Sequence, residues 1–280
     1  LVPMRPSHLV LLGIDLSVWN ATFIVGTFAG YVVLWLSCRT WGSRGVPRLL
    51  LLRWLVTVYV SLIGAQIFAY VFDLNTTVLP PYSMSWVRYY FDPLAGPKTL
   101  YGAIVFLPLG VFLVSGPGRD LSAADALDLW TPALMTVLAV ARVGCLLQGC
   151  CYGVRSPLGI ALPEGSPAYF QQVRDGVIAP GSAALPVLPT QALEAVVLFT
   201  ITGWGLARLR RGEGRIFVPA IIGYSVARFI LEFVRDDAER NAFGPLSSSQ
   251  WIALVVVFAW AAWRITSAHP VPLRASDSPR

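Results

Sequence analysis

Charged residues are scarce in this sequence, and their scarcity excludes most soluble architectures. Only 13% of the 280 residues are charged, against roughly 25% in a soluble domain, whereas 56% are hydrophobic. A chain with so few charges cannot cover a surface that faces water. The same composition excludes a disordered chain and a small disulfide-rich scaffold. It therefore predicts an integral membrane protein that crosses the bilayer several times.

Lysine is almost absent as well, because Lys98 is the single lysine in a chain whose net charge is +6. The arginines are scattered, without the basic stripe and interleaved aromatic residues that are typical of nucleic-acid binding. We therefore expect no nucleic-acid partner, and we interpret the arginines as signals for orientation in a membrane. No cleavable signal peptide is expected, because further apolar segments follow the first one.

Seven apolar segments are long enough, or nearly long enough, to cross a bilayer as helices. They cover residues 16–37, 49–72, 100–115, 129–149, 189–207, 216–234 and 250–267. With an outer N-terminus, twelve basic residues fall on the inner side and seven on the outer side. The positive-inside rule then predicts an outer N-terminus and an inner C-terminus. The predicted fold class is an all-α integral membrane protein of seven transmembrane helices, forming one polytopic domain over residues 1–280.

The longest segments that are not apolar are residues 73–99 and 150–188, and both fall on the outer side in this topology. They are rich in proline, glycine and tyrosine. We expect them to form loop subdomains that fold back at the extracytoplasmic membrane interface. Residues 268–280 are expected to form a flexible cytoplasmic tail.

Ionisable residues within the predicted spans indicate a candidate site, because each costs about 2.5–3.5 kcal/mol to insert. Arg142 lies in the fourth span, and Glu194 lies near the outer end of the fifth. Arg228, Glu232 and Arg235 share one face of the sixth, because they are spaced i, i+4 and i+7. All five side chains are predicted to lie near the outer surface of the membrane.

Two interpretations of this convergence are open. Arg228 and Glu232 could form a structural ion pair, with Arg142 bonded to backbone carbonyl groups. Alternatively, two arginines at one depth repel each other unless an anion lies between them, and guanidinium groups suit a phosphate. The second interpretation predicts a pocket for a lipid phosphate. Lys98 and Tyr101 open the third span on the same side.

Three of the four cysteines, Cys145, Cys150 and Cys151, lie within seven residues of one another. Gly149 and Gly153 surround the vicinal pair and predict a tight turn. Zinc is disfavoured because no histidine or second cysteine pair stands at ligand spacing. We expect no metal ion and no cofactor; a strained disulfide, reduced thiols and plain apolar packing all remain open.

Several segments resemble the motifs of the prolipoprotein diacylglyceryl transferases. Residues 141–153 resemble the family signature Gly-Arg-x-Gly-Asn-Phe-x-Asn-Gly-Glu-x-x-Gly, and they end in the Gly-Cys-Cys-Tyr-Gly of many relatives. Residues 189–194 resemble its Pro-Thr-Gln-x-x-Glu, and residues 224–235 its Tyr-x-x-x-Arg-x-x-x-Glu-Phe-x-Arg. Residues 246–250 are similar to a later Leu-Ser-x-Gly-Gln, with Ser249 in place of the glycine. The motifs span the C-terminal two-thirds of the chain in the family's order.

The resemblance implies a multi-pass enzyme of the bacterial cytoplasmic (inner) membrane, expected to be a monomer among membrane lipids. Such an enzyme transfers diacylglycerol from phosphatidylglycerol to the lipobox cysteine of a lipoprotein precursor. Arg142 and Arg228 would hold the phosphate and stabilise the leaving group, and Glu232 would orient an arginine. With Tyr101, these form the predicted catalytic set. The predicted substrate-binding residues are Lys98, Gly102, Cys145, Gln148, Gly149, Gly153, Gln191, Glu194, Tyr224 and Arg235.

The sequence also departs from the family pattern. Tyr101 stands where the family has the histidine that is its presumed base, Cys145 replaces an asparagine, and Cys150 replaces a glutamate. Tyrosine, with a pKa of about 10, is a weak base unless a cation such as Lys98 assists it. These departures leave three alternatives open: a transferase with a different acceptor, a non-catalytic lipid-binding paralogue, and a thiol-redox membrane protein that uses the three cysteines.

Overall fold

The computed structural model describes residues 8–11, 14–41, 49–72, 98–115, 122–237 and 242–268. Within these residues, eight α-helices are present. They are α1 (Val18–Thr40), α2 (Leu50–Phe72), α3 (Leu100–Val114), α4 (Ala123–Gln148), α5 (Pro167–Arg174), α6 (Thr190–Arg210), α7 (Phe217–Leu231) and α8 (Ser248–Ala268). A short 3-10 turn, Glu232–Val234, continues α7. The prediction of an all-α membrane protein is confirmed.

The strands are short and peripheral. They are β1 (His8–Leu11), β2 (Ile14–Ser17), β3 (Arg155–Ile160), β4 (Ala242–Phe243) and β5 (Leu246–Ser247). The first two pair as an antiparallel hairpin before α1, and the last two pair as an antiparallel hairpin before α8. Most of the predicted loop 73–99 and of the predicted tail 268–280 lies outside the described residues.

Five helical segments are long and apolar enough to cross a membrane: Val18–Thr40, Leu50–Ala69, Ala123–Gln148, Thr190–Arg210 and Phe217–Val234. Their outward faces expose large apolar side chains such as Phe28, Val196 and Ile230. Exposed apolar surface on this scale is unfavourable in water and favourable against lipid. The chain is therefore a multi-pass membrane protein.

Helix α4 is the centre of the bundle and packs against both α1 and α6. Small residues permit these contacts: a Cβ atom on Gly30 would lie 2.7 Å from Cγ2 of Val137, and one on Gly205 would lie 2.9 Å from Cγ of Pro132. Close approach at small residues is the usual basis of helix packing in membranes. It fixes α4, which carries Arg142, relative to α6, which carries Glu194.

Helices α2 and α3 form a second close pair. Gly102 lies against the backbone of α2, where a Cβ atom would be 2.4 Å from the carbonyl oxygen of Gly64 and 2.7 Å from Cα of Ala65. Gly102 was predicted from the sequence to bind substrate; the structure places it in the contact between α2 and α3, and its role with substrate stays a prediction. The contact positions the N-terminal end of α3, where Tyr101 lies.

Helix α7 has no side-chain cap of its own, and Asp128 of α4 supplies one. Its Oδ1 atom accepts from the backbone N–H groups of Ile216 and Phe217 over 2.8 and 2.9 Å, and its Oδ2 accepts from that of Arg215 over 2.6 Å. A carboxylate at a helix N-terminus satisfies N–H groups that lack intrahelical partners. This link joins α7 to α4 at the end of the bundle opposite to Arg142 and Arg228.

The segment 150–188 folds on its own small core, which consists of Tyr152, Leu162, Ala168 and Val187. Strand β3 and helix α5 belong to this segment, and Gln172 ties α5 to the backbone of Leu185 through two hydrogen bonds of 2.8 and 3.0 Å. The segment follows directly on α4 and leads into α6. It therefore covers the end of the bundle at which Arg142 lies.

Candidate active site

The carboxylate of Glu194 lies between two arginines of different helices. Its Oε2 atom is 3.0 Å from Nε of Arg142 on α4 and 3.6 Å from Nη1 of Arg228 on α7. The hydroxyl of Tyr224 donates to Oε1 over 2.7 Å. All four side chains are buried. The anion expected between the arginines is thus a residue of the protein itself, and Arg142 pairs with this carboxylate rather than with backbone carbonyl groups.

A second carboxylate extends the cluster. Glu232 lies 2.7 Å from Nη2 of Arg228 and 3.8 Å from Nη1 of Arg235, measured from its Oε2 atom. Arg235 also forms a two-point ion pair with Asp237, in which Nη2 and Oδ2 are 2.8 Å apart. Charges removed from water require partners of opposite sign. The three arginines and three carboxylates named so far balance one another.

The closest approach of Arg142 to Glu194 is made by Nε. Its Nη1 lies 4.0 Å from the sulfur of Cys145. The terminal edge of a guanidinium group binds an anion with two parallel hydrogen bonds. The atom of Arg142 nearest to the carboxylate is Nε, whereas Nη1 on the terminal edge faces Cys145. Arg228 has a further contact, because its Nη2 is 3.4 Å from Oγ of Ser249 at the start of α8.

The three cysteines of the signature segment come together in space. Cys145 lies in the last turn of α4, and Cys150 and Cys151 follow the helix end at Gly149. Their sulfur atoms all lie within 4.8 Å of one another, and none forms a disulfide. Gly149 has a φ of 75° and Cys151 has a φ of 59°. A left-handed conformation is rare for a residue other than glycine, so this turn is held against its backbone preference.

The start of α6 holds this turn in place. Oγ1 of Thr190 donates to the carbonyl oxygen of Cys151, and Nε2 of Gln191 donates to that of Cys150, each over 2.6 Å. The backbone N–H of Gly153 donates to the carbonyl oxygen of Leu188 over 2.8 Å. Gln191 and Gly153, predicted to bind substrate, therefore support the cysteine turn. A Cβ atom on Gly153 would lie 2.5 Å from the carbonyl oxygen of Val234.

The two cysteines that follow α4 differ in acidity. Hydrogen bonds from the thiols of Cys145 and Cys150, together with the charges of Arg235 and Arg142, hold the pKa of Cys151 well below its usual range. Hydrogen bonding with the other two thiols and burial raise the pKa of Cys150. The three thiols interact, so they lose their first proton as one coupled group. The negative charge that results is best stabilised on Cys151.

Tyr101 and Lys98 take separate positions. The ring of Tyr101 lies 5.9 Å from that of Tyr224, and its buried hydroxyl makes no hydrogen bond of normal geometry with the described residues. Lys98 instead places Nζ over the ring of Trp19 on α1, 5.3 Å from the ring centre. The contact with Trp19 gives no support to the idea that Lys98 assists Tyr101, and that idea stays a prediction. Among the other predicted residues, Gln148 has a buried Oε1 that lacks a hydrogen-bond partner among the described residues.

Three residues at this site were not predicted from the sequence as site residues. Thr190 lies in the Pro-Thr-Gln segment, and Ser249 lies in the segment similar to Leu-Ser-x-Gly-Gln, so both carried a signal. Asp237 stands two residues after Arg235, outside every motif. Its role as an ion-pair partner of Arg235 is visible only in the folded structure.

Comparison with known proteins agrees with the motifs. The family model described as prolipoprotein diacylglyceryl transferase matches residues 7–266. Phosphatidylglycerol--prolipoprotein diacylglyceryl transferase 2 of Clostridium perfringens is 30% identical over 72% of this chain and 73% of its own length. The transferase of Clostridium tetani is 26% identical over 91% of this chain and 94% of its own length. That of Corynebacterium efficiens is 24% identical over 92% of this chain and 80% of its own length.

Proposed function

The chain belongs to the prolipoprotein diacylglyceryl transferase family, and we propose that Arg142 and Arg228 bind the phosphate of its lipid substrate. The match of the family model and the names of the relatives confirm the family and the enzyme class that the sequence predicts. The protein transfers the diacylglyceryl group of phosphatidylglycerol to the cysteine thiol of a lipoprotein precursor.

The reaction exchanges one bond at a glyceryl carbon. The acceptor thiol loses its proton, and the thiolate sulfur attacks the glyceryl carbon that carries the phosphate. The C–O bond to the phosphate breaks, and glycerol phosphate leaves with the bonding electron pair. Negative charge grows on the phosphate oxygens during this step. Donors held in place at those oxygens therefore stabilise the transition state more than the ground state.

The observation that carries the proposal is the carboxylate shared by two arginines. Glu194 holds Arg142 through Nε and Arg228 through Nη1, which fixes the two guanidinium groups relative to each other. The terminal edge of Arg142 is then directed to the phosphate, while Glu232 and Ser249 hold Arg228 in place. Side chains already fixed lose little entropy when the phosphate binds, and no reorganisation is required during the reaction.

Six of the other predicted residues divide into two groups in this proposal. Tyr101 and Gln148 contact substrate, because the buried hydroxyl of Tyr101 makes no hydrogen bond of normal geometry with the described residues and the buried Oε1 of Gln148 has no hydrogen-bond partner among them. Glu194, Glu232, Tyr224 and Arg235 position the two phosphate-binding arginines. Tyr101 acts as a hydrogen-bond donor rather than as the base, and the acceptor thiol gives its proton to water.

The topology that we propose has seven spans with an outer N-terminus and an inner C-terminus. Helices α3 and α8 supply the two further spans. Helix α3 is apolar but has only 15 residues, which is about 22 Å of helix and shorter than the hydrocarbon core of a bilayer. In this topology its packing against the longer helix α2 holds it within the membrane. The active site then opens on the outer side of the bacterial cytoplasmic membrane, under the segment 150–188. We propose that one chain is sufficient for activity.

A transfer assay tests this function. The purified protein is given phosphatidylglycerol labelled in its acyl chains and a lipobox peptide that contains one cysteine. We expect label on this peptide and none on a matched peptide with serine. Arg142→Ala removes transfer, whereas Arg208→Ala, at the opposite end of the bundle, retains it. Label on neither peptide from the wild-type protein, or transfer by Arg142→Ala at the wild-type rate, would overturn the proposal.

A further inference from the structure

The cluster of three thiols borders the proposed phosphate site, because Nη1 of Arg142 lies 4.0 Å from the sulfur of Cys145, but no thiol is assigned to the phosphate. Cys145, Cys150 and Cys151 gather their sulfur atoms within 4.8 Å of one another. This is the only group of three or more such metal-ligating residues among the described residues. The sequence alone does not indicate this group. Cys150 and Cys151 follow Cys145 by five and six residues, and this spacing matches no common zinc motif. The left-handed turn, rather than the spacing, brings the third sulfur to the other two.

The turn is built rather than incidental. The left-handed φ of 59° at Cys151 is unfavourable for a side chain with a Cβ atom and persists only where neighbouring groups enforce it. Thr190 and Gln191 hold the two vicinal carbonyl oxygens, and the backbone N–H of Cys150 donates to the carbonyl oxygen of Cys145 over 3.1 Å. The three thiols are thus preorganised by bonds to their backbone, and the sulfur atoms contact one another, the carbonyl oxygen of Cys145 and Nη1 of Arg142.

The distances suit a metal ion. Zinc–thiolate bonds of about 2.3 Å place neighbouring sulfurs about 3.8–4.0 Å apart in tetrahedral or trigonal geometry. The sulfur atoms lie up to 4.8 Å apart, and small rotations of the cysteine side chains would shorten these separations to this value without backbone movement. Three thiolates select thiophilic ions such as Zn²⁺ or Cu⁺. A disulfide would join only two of the sulfurs and would require an oxidant that the structure does not hold.

The surrounding charges support such an ion. Zn²⁺ with three thiolates carries one net negative charge, and Nη1 of Arg142 lies 4.0 Å from the sulfur of Cys145. A cation within this distance stabilises an anionic metal–thiolate complex. The described residues offer no fourth histidine, cysteine or carboxylate in the cluster, so a tetrahedral ion retains one open position.

We propose that Cys145, Cys150 and Cys151 bind one Zn²⁺ ion as thiolates and that the acceptor cysteine occupies the open position as the fourth ligand. The choice of the fourth ligand rests on the proposed transferase function, whereas the three-thiolate site does not. Coordination releases the proton of the acceptor thiol to water, and the thiolate sulfur then forms its bond to the glyceryl carbon. The zinc ion keeps its oxidation state, and the step no longer requires the base that Tyr101 cannot supply.

Metal content tests the three-thiolate site without reference to activity. Protein purified under reducing conditions is expected to carry about one Zn²⁺ per chain. Single substitutions Cys145→Ser, Cys150→Ser and Cys151→Ser should each lower the metal content, whereas Cys38→Ala should leave it unchanged. Because misfolding of a serine variant also lowers its metal content, the wild-type protein is in addition stripped with a chelator and titrated with Co²⁺. A thiolate-to-cobalt absorption band in that titration supports the site. Its absence, or metal binding that survives replacement of all three cysteines, overturns it.

Peptide binding tests the fourth ligand. Addition of a lipobox peptide with cysteine to the Co²⁺-loaded protein should strengthen the thiolate-to-cobalt band by about one third, as three thiolates become four. The matched serine peptide should not change it. An unchanged band with the cysteine peptide overturns the fourth-ligand assignment. Transfer by protein that is fully stripped of metal overturns the zinc role but leaves the transferase function standing. A metal-loaded protein that transfers nothing contradicts the transferase function but not the three-thiolate site.

Discussion

Nε of Arg142 lies 3.0 Å from Oε2 of Glu194, and this ion pair joins the central helix of the bundle to α6. Both side chains are buried, and the same carboxylate also pairs with Arg228. A carboxylate in this position satisfies two arginines that would otherwise repel each other. It also holds them in the arrangement that we propose for a phosphate.

Substitution of Glu194 by glutamine should destabilise the protein. The amide preserves shape but removes the charge that compensates Arg142 and Arg228. Breaking one partner of a buried pair costs about 3–5 kcal/mol. Glu213→Gln is the matched control, because Glu213 pairs with Arg208 at a partly exposed site, where such pairs contribute about 0–1 kcal/mol. Thermal unfolding in detergent measures the difference, and equal effects of the two substitutions would contradict the buried bridge.

Loss of the hydroxyl of Thr190 should loosen the cysteine turn. Thr190→Val retains the shape but removes the donor to the carbonyl oxygen of Cys151, which costs about 1–3 kcal/mol. Because 1.4 kcal/mol is tenfold in an equilibrium, reaction of the turn thiols with a maleimide should accelerate by about tenfold or more. Thr200→Val is the control, since its hydroxyl bonds only within α6 at an exposed site. An unchanged rate in Thr190→Val would show that the turn is held without this bond.

Two tyrosines of the site should respond differently to removal of the hydroxyl. Tyr101→Phe should leave thermal stability unchanged, because this hydroxyl makes no hydrogen bond of normal geometry with the described residues. It should lower transfer by about tenfold, the value of one hydrogen bond to substrate. Tyr224→Phe removes the bond to Glu194 and should cost about 1.5–3 kcal/mol of stability. Full transfer by Tyr101→Phe would remove this residue from the site.

The proposed topology predicts which surface positions face the outside of the cell. Ser182, in the segment 150–188, and Arg211, after α6, are both exposed but lie beyond opposite ends of the bundle. In intact cells a membrane-impermeant maleimide should label Ser182→Cys above the wild-type background. It should label Arg211→Cys only after the cells are broken. The reverse pattern would invert the orientation.

Some of these features were predictable from the sequence and others were not. Hydropathy places both ends of α6 within three residues of the observed range, because long apolar segments have one stable form in a bilayer. It places the end of α4 within one residue, but α4 begins six residues earlier than predicted. The motifs correctly predicted the family. The sequence did not predict that Glu194 is the anion between the two arginines, because this arrangement depends on how three helices pack. Arg142 and Arg228 alone indicate only that an anion is required.

Packing also shows surroundings that the sequence could not give. Lys98 was considered as a cation that could assist Tyr101, and in the structure its Nζ lies over the ring of Trp19 of α1. Gly102 was predicted to bind substrate, and in the structure it also lies closely against the backbone of α2. The cluster of three thiols was concealed because the left-handed conformation at Cys151 is unusual for a residue with a side chain, and no sequence pattern indicates it.

The measurement that tests the central claim most directly compares Arg142→Lys with Arg208→Lys in transfer from phosphatidylglycerol to the cysteine peptide. Lysine keeps the charge but lacks the planar pair of donors that binds a phosphate at two points. We predict that Arg142→Lys lowers kcat/KM by about 100-fold or more, as expected for loss of a donor to the developing charge. Arg208→Lys should remain at the wild-type value. Transfer by Arg142→Lys at the wild-type rate would contradict the account, because the guanidinium group would then not be required at the phosphate.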